Sequence, residues 1–180
     1  GPRSLAVGLE SPGVVESAIS NAPSRESATL RLRSALNQAL MPVERLAEAF
    51  AAEEGCAYLG IDTSPAPALD RSIGAALESF MHKPFGSSGT VDACAVVTAA
   101  LRSLDVKTCG YAGLMLPVVE DPVLARRAIE GRFGMHDLLL YSSVCGTGLD
   151  LVPLPGDTSV ETVERIICDT AALSTRWSKP

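Results

Sequence analysis

One short segment constrains the fold more than any other part of the sequence. Residues 56–61 are apolar almost throughout, as is typical of a parallel strand covered on both faces. The segment ends in Asp62-Thr63-Ser64-Pro65-Ala66-Pro67, which contains too many turn-forming residues to continue a regular element. A buried strand that stops this sharply predicts an α/β layer structure with a loop at the carboxyl end of the strand.

Segments of strand and helix character alternate along the chain, which supports the α/β prediction. Predicted strands are the apolar runs at residues 5–9, 56–61, 106–116 and 149–154. Predicted helices are marked by helical spacing of apolar residues or by capping signals, and they begin near Pro12, Ser24, Leu69, Thr90, Asp121, His136 and Thr158. No linker divides the chain, so residues 1–180 are expected to form one α/β domain or a fragment of a larger barrel.

Charge and composition narrow the class of partner. The chain has 180 residues and a net charge of −6, which disfavours nucleic acid and anionic membranes as main partners. No apolar run reaches the roughly 18 residues of a membrane span. The first residues show no signal-peptide pattern. We therefore expect a cytoplasmic protein whose ligand is a small molecule, with no nucleic acid and no membrane as partner.

The cysteines indicate reduced thiols rather than a framework of cross-links. The chain has five of them, none in a C-x-x-C pair, and the count is odd. A disulfide framework and a structural zinc site are both disfavoured by this pattern. Most of the thiols are expected to be buried as small apolar groups, although one or two can still be reactive.

The loop after residues 56–61 is the first candidate site. A carboxylate at the end of a buried strand, here that of Asp62, can bind a metal, hold a substrate hydroxyl or act as a base. The same carboxylate can instead make a side-chain turn to Ser64. The sequence leaves both interpretations open.

Two glycine-containing segments are further candidates. Residues 85–90 lead into a predicted helix and can cradle an anion, but they lack the lysine of a P-loop, and a flexible loop is the favoured interpretation. Residues 107–117 include Gly110 beside Tyr111. Glycines inside an apolar strand mark a bulge, a tight corner or a close approach of backbone.

The stretch around Cys145 is the most informative for chemistry. Cys145 is followed by Gly146 and Gly148, whose backbone amides can lower a thiol pKa and receive an oxyanion. Asp150 and Asp157 follow in the same stretch. A buried cysteine at a helix end, followed by a tight turn, is the alternative.

These stretches together resemble the DUF711 (UPF0210) family over nearly the whole chain. The resemblance is carried by Ala6-Val7-Gly8-Leu9-Glu10, Gly60-Ile61-Asp62-Thr63-Ser64-Pro65-Ala66-Pro67, Arg71-Ser72-Ile73-Gly74, Cys109-Gly110-Tyr111-Ala112-Gly113-Leu114-Met115-Leu116-Pro117-Val118-Val119-Glu120-Asp121, Cys145-Gly146-Thr147-Gly148-Leu149-Asp150 and Pro153-Leu154-Pro155-Gly156-Asp157. Members of the family run to several hundred residues, and this chain resembles their middle portion. A homo-oligomer, or pairing with another chain of the same parent protein, is therefore expected.

The resemblance implies a fold related to the glycyl radical enzymes of the pyruvate formate-lyase type and to ribonucleotide reductase. In that fold a half-barrel of parallel strands is surrounded by outer helices. Thr108-Cys109-Gly110-Tyr111-Ala112 is faintly similar to a glycyl radical motif, but Lys107 and Thr108 depart from it. We expect no active glycyl radical chemistry, because a shared fold does not carry function.

Two functions are predicted for such a chain. The first is a metabolic enzyme that acts on a small polar metabolite, with Cys145 as nucleophile or acid/base. The alternative is a non-catalytic ligand-binding module or a structural subunit of a larger assembly. No cofactor is predicted, although the carboxylates suit a divalent cation. The predicted catalytic residues are Cys145, Asp150 and Asp62, and the predicted substrate-binding residues are Ser64, Gly110, Tyr111, Gly146, Thr147, Gly148 and Asp157.

Overall fold

The computed structural model of the chain describes residues 3–68, 70–146 and 149–178, which form two strands and seven helices. In chain order the elements are β1 (Ser4–Gly8), α1 (Pro12–Ile19), α2 (Arg25–Glu53), β2 (Ala57–Asp62), α3 (Ile73–Met81), α4 (Thr90–Leu101), α5 (Pro122–Ile129), α6 (Met135–Ser142) and α7 (Val160–Trp177). The predicted α/β class is confirmed at this level.

The sheet is small and parallel. β1 pairs with β2 from Ser4 opposite Ala57 to Gly8 opposite Asp62, and α1 and α2 form the connection between them. Residues 107–109 extend the pairing on the other side of β2, because Ile61 donates to the carbonyl of Lys107 at 2.9 Å and accepts from Cys109 at 3.0 Å. The carboxyl ends of all three segments consequently lie at one edge of the sheet, where ligand sites of α/β folds occur.

The core lies between this sheet and helices α1 to α4. Its largest fully buried side chains come from five of these elements, from α5 and from two loops. Phe85 packs edge-on against Phe133 and Tyr141, with ring centroids 5.2 and 5.3 Å away. Leu32 and Leu36 of α2 show the helical spacing that the sequence predicts for a buried face. The long helix α2 is therefore held to the sheet by one apolar stripe.

Two parts of the sequence prediction are wrong at the level of elements. Residues 106–116 do not form a strand, because only Thr108 pairs with β2 and the backbone then turns, with positive φ angles at Gly110 and Ala112. Residues 149–154 are not a strand either. The two strands do not make a barrel, so the half-barrel stays a prediction.

Asp121 joins two helix starts in the interior. Its side chain is completely buried and caps α5 by accepting hydrogen bonds from Val123 and Leu124, both at 3.0 Å. It also accepts from the amide of Gly74 in α3 at 3.2 Å and from the hydroxyl of Ser72, the N-cap of α3, at 2.7 Å. One carboxylate thus satisfies groups at both helix N-termini and fixes α3 against α5.

The longest helix of the described chain is α2, and no helix in that part of the chain combines the length and apolarity needed to cross a membrane.

Replacing Asp121 by alanine is expected to lower the free energy of unfolding by about 2–4 kcal/mol, because buried amides in two helices lose their acceptor. Urea unfolding followed by circular dichroism measures the change. Asp157→Ala is the matched control, because Asp157 is exposed. Equal stability of the two variants would contradict a joining role for Asp121.

Candidate functional site

Asp62 is the last residue of β2, and its carboxylate organises the edge of the sheet. One oxygen accepts from the amide and hydroxyl of Ser64, at 3.1 and 2.7 Å, and from the amide of Ala112 at 3.0 Å. The other oxygen accepts from the amide of Tyr111 at 3.1 Å. The side-chain turn from Asp62 to Ser64 that the sequence allows is therefore present. The same carboxylate also binds the backbone of a second segment, at residues 111–112.

The Asp62 carboxyl is held in its charged form. Burial works to raise its pKa, but the hydrogen bonds from Ser64, Ala112 and Tyr111 outweigh burial and lower the pKa below its ordinary value. Both oxygens are already engaged by these donors. The catalytic role predicted for Asp62 stays a prediction, and what the structure shows is a carboxylate that binds protein backbone.

The segment that Asp62 holds is folded tightly enough to need glycine. Gly110 has a φ of +63°, and a Cβ atom there would stand 2.4 Å from the Asp62 carboxylate. Ala112 also has a positive φ, of 45°. The amide of Gly113 donates to the Ser64 hydroxyl at 3.2 Å. A close approach of backbone, one of the three interpretations that the sequence allows here, is thus present at Gly110, and the group approached is the Asp62 side chain of the same chain.

Gly146 brings a third segment to the same place. A Cβ atom at Gly146 would stand 2.4 Å from the Cα atom of Gly113, so the two backbones are in direct contact. Gly146 follows Cys145, whose side chain is completely buried. Residues 62–64, 110–113 and 145–146 therefore form one packed unit at the carboxyl end of the sheet.

The Cys145 thiol faces the interior. It lies against the thiol of Cys94 in α4, and the hydrogen bond between the two, together with burial, raises the pKa of Cys94 well above its ordinary value. A thiol with no exposed surface cannot reach a substrate unless the 145–146 segment moves. Catalysis by Cys145 stays a prediction, and it requires such an opening.

Beside this packed unit lies a cleft that we name the strand-end cleft. It comprises a cavity of about 200 Å³ and an adjoining cavity of about 570 Å³, which share Pro67 and Glu120. Four carboxylates line it, and none of its described lining residues is a lysine, arginine or histidine, although Arg71 pairs with the lining residue Asp70 at 3.7 Å. The lining residues are Glu10, Ser64, Pro65, Ala66, Pro67, Ala68, Asp70, Met115, Pro117, Glu120, Pro122 and Asp150.

The strand-end cleft contains only some of the residues that the sequence singled out. Ser64 and Asp150 line it, whereas Tyr111 and Asp157 are exposed outside its lining. Thr147 and Gly148 lie outside the described residues. No group of three histidine, cysteine or acidic side chains that could hold a metal occurs among the residues described.

Sequence reasoning did not identify Glu10, Asp70 and Glu120 as cleft residues. Glu10 lies two residues after β1, and this position after a parallel strand is a usable signal. Glu120 directly precedes the buried cap Asp121, which fixes where its backbone lies. Nothing in the sequence around Asp70 marks it, because its place in the cleft depends on how the chain turns before α3.

Comparison with known proteins gives one family. The family model described as "Uncharacterised ACR (DUF711)" matches residues 1–180. A UPF0210 protein of Pyrobaculum aerophilum is 34% identical over 97% of this chain and 41% of its own length. UPF0210 proteins of Desulforudis audaxviator and Clostridium beijerinckii are 30% and 29% identical, over 91% and 95% of this chain and 38% and 40% of theirs. The chain thus spans about two-fifths of the length of these relatives.

The depressed pKa of Asp62 predicts a stability change at low pH. The unfolded carboxyl titrates near its ordinary value of 3.8 and the folded one below it. The stabilisation by the charged form is therefore complete above about pH 5 and is lost as the pH falls below the unfolded pKa toward the folded one. We expect the difference in melting temperature between the wild type and Asp62→Asn to stay constant from pH 8 to pH 5 and to shrink below pH 4. A difference that is independent of pH would contradict this.

The burial of Cys145 predicts the order in which thiols react. Cys168 is exposed, whereas Cys94 and Cys145 have no exposed surface. A thiol reagent such as DTNB should modify Cys168 first in the native protein, and Cys94 and Cys145 only after unfolding in guanidinium chloride. Mass spectrometry of peptides identifies each site, and Cys168→Ser should remove the fast phase. Modification of Cys145 as fast as Cys168 would show that the 145–146 segment opens in solution.

Proposed function

Because this chain belongs to the DUF711 family, we propose that it forms the metabolite-binding part of a longer metabolic enzyme, with the strand-end cleft as the site. The observation that carries the proposal is the convergence of two strand ends and the bridged segment 107–109 on one cleft. The carboxyl ends of β1, β2 and residues 107–109 lie at the same edge of the sheet. Open α/β sheets bind their ligands outside this edge.

The charge of the cleft favours one class of metabolite. Glu10, Asp70, Glu120 and Asp150 give it a negative potential. Arg71 pairs with Asp70 at 3.7 Å and offsets one of these four charges in part, but no described lining residue is itself a cation. An anionic ligand would be repelled, whereas a ligand with an ammonium or guanidinium group would be attracted. The small polar metabolite therefore carries a positive charge on our proposal.

The packed unit beside the cleft supplies a rigid wall. Ser64 belongs to both, because its side chain bonds with Asp62 and Gly113 while the residue lines the smaller cavity. Residues fixed in this way lose little entropy when a ligand binds. Asp62 is then a positioning residue on this proposal, and Glu120 and Asp150 are the groups that contact the ligand.

We extend the proposal to the architecture of the parent protein. Two parallel strands with one further bridge are a small sheet, and β1 has a partner strand on only one side among the described residues. This supports a larger parallel sheet, of the half-barrel type that the family resemblance implies. The five free thiols support a cytoplasmic location.

A second candidate function is a binding module without catalysis. The burial of the Cys145 thiol favours it, because the residue expected to carry the chemistry has no access to the cleft. On this alternative the same cleft holds the same class of ligand and releases it unchanged.

Thermal shift with three probes tests the proposed function. Putrescine should raise the melting temperature, whereas glycerol and succinate should not, because only the amine complements the carboxylates. Glu120→Gln should weaken the binding of putrescine about threefold to tenfold. Glu53→Gln, an exposed carboxylate of α2, is the control and should leave binding unchanged.

Equal shifts by all three probes, or unchanged affinity of Glu120→Gln, would contradict the proposed site. Recovery of a cationic metabolite unchanged after incubation with the full-length parent protein would favour the binding module over the enzyme.

A further inference from the structure

Helix α7 packs against little of the rest of the chain. It has 18 residues, and none of them is buried. Val160, Ile167 and Trp177 are 85%, 62% and 49% exposed. A helix of this length is only marginally stable in water without tertiary packing. We therefore expect α7 to pack against protein that these 180 residues do not supply.

The sequence of α7 gives it one apolar face. Val160, Val163, Ile167 and Ala171 follow one another at spacings of three or four residues, which places them on one side of the helix. Polar side chains occupy the opposite side, where Arg165 pairs with Glu161 at 2.7 Å. An amphipathic helix of this kind is made to bury its apolar face.

A second uncovered apolar surface lies in a groove outside α7. A cavity of about 660 Å³ lies between α5, α6 and residues 152–155. Its lining includes Val119 and Leu154, which are 53% and 38% exposed, and Ile129, which is 88% exposed. No residue of α7 lines this groove. Two apolar features in the last third of the described chain are thus uncovered, which is unusual for a free-standing surface.

We propose that the apolar face of α7 and this groove form a docking surface for the part of the DUF711 protein that lies outside these 180 residues, in the same or a separate polypeptide. The family match includes α7, yet the chain covers only 41%, 38% and 40% of three relatives. In those relatives the counterpart of α7 therefore folds together with a larger body of protein.

A second copy of the chain fits these observations less well. A two-fold contact needs one patch that is complementary to itself. The uncovered surface is instead divided between a helix face, a groove and the side of β1 that has no partner strand among the described residues. The proposal is independent of the proposed metabolite site, since no residue of α7 or of the groove lines the strand-end cleft.

Photo-cross-linking in the source cell tests the proposal on the natural gene product. The cross-linker p-benzoyl-phenylalanine replaces Ile167 on the apolar face, and in the matched control it replaces Arg165, whose side chain is 76% exposed on the opposite face. Mass spectrometry should identify peptides joined to position 167 that match DUF711 sequence outside residues 1–180. Whether these peptides belong to the same or a separate polypeptide then distinguishes the two sources.

Several outcomes would overturn the proposal. Cross-links from position 167 to residues 1–180 of a second copy would show self-association. Cross-links to an unrelated protein, equal yields from positions 165 and 167, or no product from 167, would show that the family body does not cover this face.

A pair of charged variants separates docking from folding. Because Ile167 and Ala172 are both exposed, Ile167→Glu and Ala172→Glu should leave the melting temperature of the 180-residue chain unchanged. For this comparison in the source cell, the cross-linker is placed at Val163. Ile167→Glu should then lower the recovery of the cross-linked product at least tenfold, whereas Ala172→Glu should leave the recovery unchanged. A melting temperature lowered only by Ile167→Glu would place the contact within this chain and overturn the proposal.

Discussion

The hydrogen bonds of the Asp62 carboxylate are the interaction on which the packed unit at the carboxyl end of the sheet depends. Backbone amides that leave regular structure need acceptors, and buried ones that lack them are costly. The chain pairs with β2 at Thr108 and then turns away from the sheet at Tyr111 and Ala112. The Asp62 carboxylate accepts hydrogen bonds from the amides of these two residues. One charged side chain thereby replaces a ladder of strand bonds and permits a tight turn.

Asp121 solves the same problem in the interior. There the donors belong to the first turns of α3 and α5, whose amides have no partners within their own helices. The two aspartates divide the work: Asp121 fixes helix to helix, and Asp62 fixes loop to sheet. The strand-end cleft lies between these two fixed points, since Ser64 bonds with Asp62 and Glu120 precedes Asp121.

The sequence predicted correctly those features that depend only on neighbouring residues, such as helix caps and the bounds of β2. Ser24 and Asp121 cap helices as their types and positions predict, and β2 lies within one residue of its predicted bounds. The strand predicted at residues 106–116 was wrong because apolar content does not report backbone dihedral angles. Its glycines were the correct signal, and Gly110 with φ +63° is where the strand pairing has already ended.

The site was less predictable because it is made by tertiary contacts. Whether Cys145 is reactive depends on α4, which places Cys94 against it from a segment about fifty residues earlier in the chain. The cleft likewise depends on Glu10 and Asp70, which line one cavity although they are sixty residues apart. Glu10 is brought there by the parallel pairing of β1 with β2, and Asp70 by the turn of the chain before α3. The spacing of residues along the sequence does not show which distant segments lie together. The sequence therefore identified the candidate loops but not the residues that pack against them.

The two proposed surfaces are connected by a requirement of binding. A site that holds a small ligand tightly encloses most of its surface. Glu10, Asp70 and Glu120 are themselves exposed, so a ligand in the proposed site would be contacted by this chain from one side. In the relatives, about three-fifths of the length lies outside the region that matches this chain. On our proposal, the protein body that covers α7 is therefore large enough to close the cleft as well. We therefore expect affinity for a cationic metabolite to be higher in the full-length parent than in these 180 residues, with the carboxylates supplying the charge and the added protein excluding water.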